Sequence, residues 1–500
     1  SPEPKPNRCR LRGEIAVSGP NTYVRHLDEG ISPRPAGRTV KPPSLVGVLL
    51  IVLAMLWSAN AEALPVFARQ TGQNCQACHA GGQFPELTTY GRLFKLTGYT
   101  IGQRTLPLSA MAVVSDSRVF HTSKSDDPKS DFQKNGTPIF ATGSVFLAGK
   151  VTEHIGTFLQ VTYDNYASQS EDGKFHGHSA ADNMEVRYAD RVITPKNDLI
   201  WGISANNNPS ISDPWNTAAA WMQYVPVPSP TSSRFIDGTT PYPGFAAGGN
   251  ISGITGYAFW NQMLYVELGG YRSAQGLTSF MSAGKARADK TKLQGTNPYW
   301  RVALSHAWGA HNLMVGTSGM VADVYNDPLD TSDPTSVHHF RDIGIDSQYQ
   351  YQLDPHTFTA QFAYMRDTHR LPGFLANQPV QDADGNPLPN TNASNTTKVM
   401  RAKVSYVYGA KYGGSLAHFN QTGTTDSALY DPTRVGGNIS GSPAVRGFTY
   451  EAFWIPVQNL RLGMQYTAYN AYNGTSHNYD GSGRNARDNN SLFFYLWMAY

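Results

Sequence analysis

The 500-residue chain is 12% aromatic and only 15% charged, with 47 glycines, 27 tyrosines and three cysteines. Its net charge of +3 is uninformative by itself, but the lack of any basic stripe argues against nucleic acid as a partner. A mean hydropathy of −0.39 is too polar for a protein that crosses a membrane with several helices.

Residues 1–44 are basic, proline-rich and without hydrophobic periodicity, and read as a disordered leader or a misassigned start. Residues 45–63 read as a signal peptide. An apolar run from Leu45 to Trp57 follows Arg38 and Lys41 and leads to the small-x-small site Ala61-Glu62-Ala63. That run is too short for a spanning helix. Cleavage there would leave about 437 residues, more than one ordinary core holds and suited to a large barrel. Cys9 would leave with the leader, so that Cys75 and Cys78 remain.

Those two cysteines belong to Cys75-Gln76-Ala77-Cys78-His79, the pattern that attaches a c-type haem. Two thiols three residues apart can add to the two vinyl groups of one porphyrin, and the histidine that follows reaches the iron. A zinc half-site or a redox dithiol also uses C-x-x-C. Zinc would want a second ligand pair, and a thioredoxin-like site would want a βαβ frame; neither is present in the sequence. The pattern therefore predicts one covalently attached haem c, with Cys75 and Cys78 as attachment sites and His79 as the metal ligand. Residues 64–107 are too few to bury a core of their own, so this segment is expected to be stapled by its haem and by a barrel wall.

From residue 108 to residue 500 the chain repeats one unit of an alternating strand, a tight turn, a second alternating strand and a long polar loop. Ile343, Ile345, Tyr349, Tyr351 and Leu353 would face lipid, with Asp342, Asp346, Gln348, Gln350 and Gln352 facing inward. The same alternation sets Met400, Ala402, Val404, Tyr406 and Tyr408 against Arg401, Lys403 and Ser405. Seven short turns are expected, at 153–156, 195–197, 261–262, 309–312, 354–357, 410–413 and 458–459, and long loops at 168–182, 206–242, 275–296, 368–396, 423–445 and 473–489. Residues 217–226 could be a further strand or part of an outer loop. The count predicts an all-β fold, an antiparallel transmembrane β-barrel of about sixteen strands, in the bacterial outer membrane, with a small N-terminal cytochrome c plug. The run Ser491 to Tyr500 ends on an aromatic and puts Leu492, Phe494, Leu496, Met498 and Tyr500 on one face, as a closing strand would.

Around the haem motif a resemblance becomes specific. Pro65-Val66-Phe67-Ala68-Arg69-Gln70-Thr71-Gly72 leads into it, and the segment from Phe84-Pro85-Glu86 to Thr97-Gly98-Tyr99 follows it. This resembles the fused outer-membrane monohaem cytochrome–porins, whose members oxidise ferrous iron at the surface of iron-oxidising bacteria. In motif detail the resemblance covers about residues 64–100. It implies a monohaem plug in a sixteen-stranded porin, an Fe(II):cytochrome c oxidoreductase or simple electron carrier, with extracellular Fe(II) or another donor outside and a periplasmic c-type cytochrome or other soluble carrier inside.

No second histidine or methionine lies between Leu64 and Pro107 to complete the iron's coordination. Met111, His306, Met365 and His418 are barrel candidates, and a five-coordinate or water-bound site is the alternative. Arg92 and Lys95 are expected to pair with propionates or lumen carboxylates, and Pro85 and Gly91 to shape turns. Glu185, Arg187, Glu267, Arg301, Asp342, Asp346, Arg401, Lys403, Glu451 and Arg461 fall on inward positions. Asp382-Ala383-Asp384-Gly385-Asn386 begins like a calcium loop but has Ala393 where the closing glutamate should stand, so it reads as a turn. His176, His178 and His338-His339 are placed in outer loops, where solvated polarity is the simpler reading than iron binding. Three functions stay open: a redox conduit, a diffusion porin with an accessory haem segment, and a haem enzyme such as a peroxidase.

Overall fold

The computed structural model describes residues 65–121, 135–169, 175–218, 231–232, 250–284, 291–376, 392–430 and 437–500. The expected leader, signal peptide, Cys9, the 382–386 turn and most of 217–226 lie outside the described residues.

Sixteen antiparallel strands close on themselves, with β1 (Leu108–Val119) hydrogen-bonded to β16 (Ser491–Ala499) and every other strand to its chain neighbour. In chain order the others are β2 (Ile139–Lys150), β3 (Ile155–Gln169), β4 (Phe175–Ile193), β5 (Asp198–Asn206), β6 (Ile251–Trp260), β7 (Leu264–Ser273), β8 (Asn297–Trp308), β9 (His311–Val324), β10 (His338–Leu353), β11 (His356–Arg370), β12 (Asn395–Tyr408), β13 (Tyr412–Gly423), β14 (Val445–Val457) and β15 (Leu460–Ala471). Closure leaves no edge with unpaired N–H and C=O groups, which is the condition for a sheet to stand in lipid.

The alternation in the sequence is the alternation of the wall. Along β10, Ile343 and Ile345 are about half exposed on the outside, while Asp346, Gln348 and Gln350 are buried in the lumen. β12, β15 and β16 follow the same rule. All seven short turns lie at one end, the first of them at 151–154 because β3 already begins at Ile155. Near that end the outward face is ringed by Trp201, Trp260, Trp308, Tyr408, Tyr412 and Trp454. Aromatic rings of this kind settle at the boundary between hydrocarbon and water. A closed even-stranded barrel with an apolar outer face belongs in a bacterial outer membrane, short turns to the periplasm and long loops outside.

One expected loop is corrected. β3 runs to Gln169 and β4 resumes at Phe175, so most of 168–182 is strand rather than loop. Above the membrane both faces of a hairpin meet water, so the hydrophobic alternation disappears while backbone pairing continues.

Replacing Ile345 by Arg puts a charge on the lipid-facing middle of β10 and should destabilise the barrel by about 2–4 kcal/mol. Urea unfolding in lipid vesicles measures this, and a change below about 0.5 kcal/mol would contradict the assigned facing.

Candidate functional site

The segment before β1 folds as three short helices, α1 (Pro65–Thr71), α2 (Cys75–Cys78) and α3 (Thr89–Leu96). Asn74 caps α2 by accepting from Ala77 N, and Thr88 caps α3 by accepting from Gly91 N. One turn of helix thus carries both thiols, with His79 at its C-terminal end. The chain then folds back: Thr88 N donates to Cys78 O at 2.9 Å, Ala80 N donates to Glu86 O at 3.0 Å, and His79 bridges Leu87. α3 crosses so close to this turn that a Cβ on Gly91 would stand 2.1 Å from Cys78 O. Gly91 is therefore needed for helix contact inside α3 and shapes no turn. At Gly82, φ is +88° and a Cβ would come within 2.9 Å of Ala410, so glycine lets the chain pass under the β12–β13 turn.

Neither Cys75 nor Cys78 is in a disulfide; Cys75 is buried and Cys78 half-buried. Burial, with Cys75 adding to it, pushes the Cys78 thiol up to about 11. Burial also lowers the His79 imidazole to about 4, outweighing the raising influence of Glu86, so the ring is neutral and able to donate a lone pair. Its Nδ1 is a buried atom with no hydrogen-bond partner among the described residues. Two thiols on one turn beside a histidine whose buried Nδ1 lacks a partner among the described residues match the donor set of a c-type haem, and Cys75, Cys78 and His79 could hold it. Among the described residues no group of three or more His, Cys, Asp or Glu side chains could hold a metal ion.

Residues 65–107 lie inside the barrel at the turn end. The Cys75 thiol is 3.3 Å from Gln458 Oε1 and Gln83 Nε2 donates to Gln458 O, both at the β14–β15 turn. Gln70 Nε2 donates to the carbonyls of Tyr99 and Ile101, and its Oε1 accepts from Lys150 N on the wall. Phe67 stacks on Tyr99 and on Phe158 of β3, at 5.6 and 6.2 Å between centroids, and Phe84 meets Trp497 of β16 edge-on at 5.4 Å. A small open-sided cavity lies beside Ala80, Gly81 and Glu86, against Lys403, Glu451 and Arg461 of the wall.

The inward charges expected from the sequence line the lumen, Arg401, Lys403 and Glu451 half-buried and the others buried, and most are paired. Glu185 and Arg187 meet at 2.7 Å with both side chains fully buried; Ser204 and Tyr99 also donate to Glu185. Arg301 makes a two-pronged bond to Asp346 at 2.9 and 3.0 Å and lies 3.4 Å from Asp213. Arg461 bonds Glu451 at 3.0 Å, and Lys403 reaches Glu86 of the inserted segment at 3.3 Å.

Several expected roles are revised. Of the two partners expected for Lys95 and Arg92, the lumen carboxylate is not a hydrogen-bond partner of either among the described residues: Lys95 donates to the Asp213 carbonyl and the Asn216 side-chain oxygen, and Arg92 to Leu87 O, Gln350 and Thr89. His306 stacks on Trp308 and His418 packs on Phe448; both lie on the outer face and cannot reach a lumen iron. Met111 and Met365 face inward, Met111 in the cluster with Phe84 and Trp497. His176 and His178 sit on β4 and His338-His339 open β10, not loops. The sequence reading missed the segment after β5. There α4 (Pro209–Ser212) and the fully buried Trp215 turn into the lumen and meet Lys95. Trp215, set among Asn, Ser, Asp and Pro in 207–217, was the available signal.

No family model and no curated protein sequence matches this chain. Solved structures that it resembles include the outer membrane channel DcaP of Acinetobacter baumannii, at 11% identity and a TM-score of 0.42 over 79% of this chain and 96% of that one. Another is OprB of Pseudomonas putida, at 10% identity and 0.43 over 85% and 99%. The porin-like barrel assignment rests on the strand order itself rather than on these distant likenesses.

Gly91→Ala should force α3 away from Cys78 while leaving the wall intact. Limited proteolysis of the folded barrel should then cut within residues 65–107, and resistance equal to the parent protein would contradict the close crossing.

Proposed function

We propose that this chain is an electron conduit of the outer membrane, carrying one covalent haem c at Cys75, Cys78 and His79. An extracellular donor, Fe(II) foremost, would supply electrons, and a periplasmic c-type cytochrome or other soluble carrier would receive them. The observation that supports this most is position: the thiols and His79 sit together in the lumen, at its periplasmic end. When bound, the group would supply a one-electron couple, which asks for potential, distance and access rather than an acid–base pair.

The surrounding residues would do the rest. The strand-like return of residues 86–88 onto 78–80 would fix the His79 ring. Gln73, Asn74 and Gln76, exposed at the turn end, would leave that edge open to a soluble carrier. Of the two candidate methionines, Met111 packs against Phe84 of the inserted segment and could supply a further ligand to the group. The Glu86–Lys403 pair would keep the inserted segment registered against β12.

The barrel by itself speaks more directly for a second reading, a diffusion porin with an accessory haem segment. A closed sixteen-strand wall is the frame of a channel and requires no haem. Reconstitution in proteoliposomes enclosing an oxidised dye separates the two. A conduit should show haem reduction by external Fe(II) followed by dye reduction without dye escape. Dye escape with the haem left oxidised would favour the porin, and rapid hydrogen peroxide turnover would favour a haem enzyme.

Cys78→Ala or Cys75→Ala should abolish covalent haem staining while the barrel keeps its heat-modifiable mobility on gels. Full staining of either variant would overturn the attachment assignment.

A further inference from the structure

On the outside of the barrel near the loop end some cations are matched: Arg118 bonds Asp116 at 2.9 Å and His339 meets Asp323 at 2.7 Å. Arg272 and Arg446 stand singly without a carboxylate partner among the described residues, whereas the stretch β10–β12 gathers four such cations. Arg341, Arg366, Arg370 and Lys398 are all exposed there, alternating along their strands with buried lumen residues such as Asp342, Asp367, His369 and Thr397. Arg366 stands directly opposite Lys398 across the β11–β12 ladder. Arg341 stands opposite Thr368, midway between Arg366 and Arg370. Among the described residues none of the four makes an ion pair with a carboxylate, and the outward carboxylate of Asp323 is already taken by His339.

Like charges facing one another on neighbouring strands repel. Charges on a lipid-facing wall are tolerated only near the membrane surface, so this patch marks the level of the outer headgroups. A cluster of this kind calls for a counter-anion. Toward the turns the same three strands become apolar on the outside, through Ile343, Ile345, Phe362 and Val404, each at least one-third exposed. Cations above an apolar track match an amphiphile with a negatively charged head, not a small free anion.

We propose that this face of β10–β12 is a binding site for a phosphorylated lipid of the outer leaflet. The phosphates are held by Arg341, Arg366, Arg370 and Lys398, and the acyl chains lie along Ile343 and Phe362. The site relieves the Arg366–Lys398 repulsion, and it stands apart from whatever the lumen carries.

The test is native mass spectrometry of the full-length protein in detergent, titrated with lipid A. The parent protein should bind lipid A with an affinity that falls as salt rises. R341Q/R366Q/R370Q/K398Q, with its heat-modifiable mobility retained, should bind at least tenfold more weakly. Dephosphorylated lipid A should bind the parent protein as poorly, a comparison that needs no variant to fold. Equal binding by the variant, or by the dephosphorylated lipid, would overturn the proposal. Displacement of lipid A by an equal concentration of inorganic phosphate would also overturn it, in favour of a free-anion site.

Discussion

Everything inside this molecule depends on ionic side chains being buried within a cylinder that water does not freely fill. Glu185–Arg187 and Arg301–Asp346 have lost nearly all solvent contact. Such pairs are not strong stabilisers, because desolvation offsets most of their attraction, but breaking one leaves an uncompensated charge at a cost of about 3–5 kcal/mol. A filling segment must therefore bring hydrogen-bonding groups of its own. Residues 65–107 do so: Tyr99 donates to Glu185, the Lys95 and Leu96 carbonyls accept from Arg187 and Tyr257, and Lys95 reaches the inturned 213–216 segment. The segment, the wall and the inward loop form one polar joint, capped by apolar contacts at Phe67 and Phe84.

That joint explains how a stretch too short to fold alone can hold a fixed geometry around Cys75, Cys78 and His79. Small domains usually need a staple. Here the wall supplies one through side chains such as Gln458 and Lys403. The two faces of the wall divide the labour. The inner face satisfies polar groups, and the outer face sets depth, with aromatic rings toward the turns and cations toward the loops.

The strand pattern was legible because lipid on one side and a polar lumen on the other impose a strict two-residue period. Ile343 and Ile345 against Asp346 and Gln348 is a consequence of that, and so is the inward set from Glu185 to Arg461. The strand ends were not legible. Beyond the membrane both faces of the β3–β4 hairpin are wet, so His176 and His178 looked like loop residues although their backbones pair; His338 also pairs, but it is fully buried at the start of β10. The facing of His306 and His418 could have been read, since His306 shares parity with Leu304 and His418 with Leu416, both outward. The Cys75–His79 spacing was legible as two thiols and a histidine held on one turn. Its partners were not, because Gln458, Lys403 and Asp213 come close only through closure of the barrel and the inward turn at Trp215.

The central claim is that residues 65–107 fill the lumen. Single-channel conductance in planar bilayers tests it most directly, comparing the full-length protein with one from which residues 65–103 have been removed. The filled lumen predicts a small or undetectable conductance for the full-length protein and an open-porin conductance after the deletion. Equal, porin-sized conductance from both would contradict it.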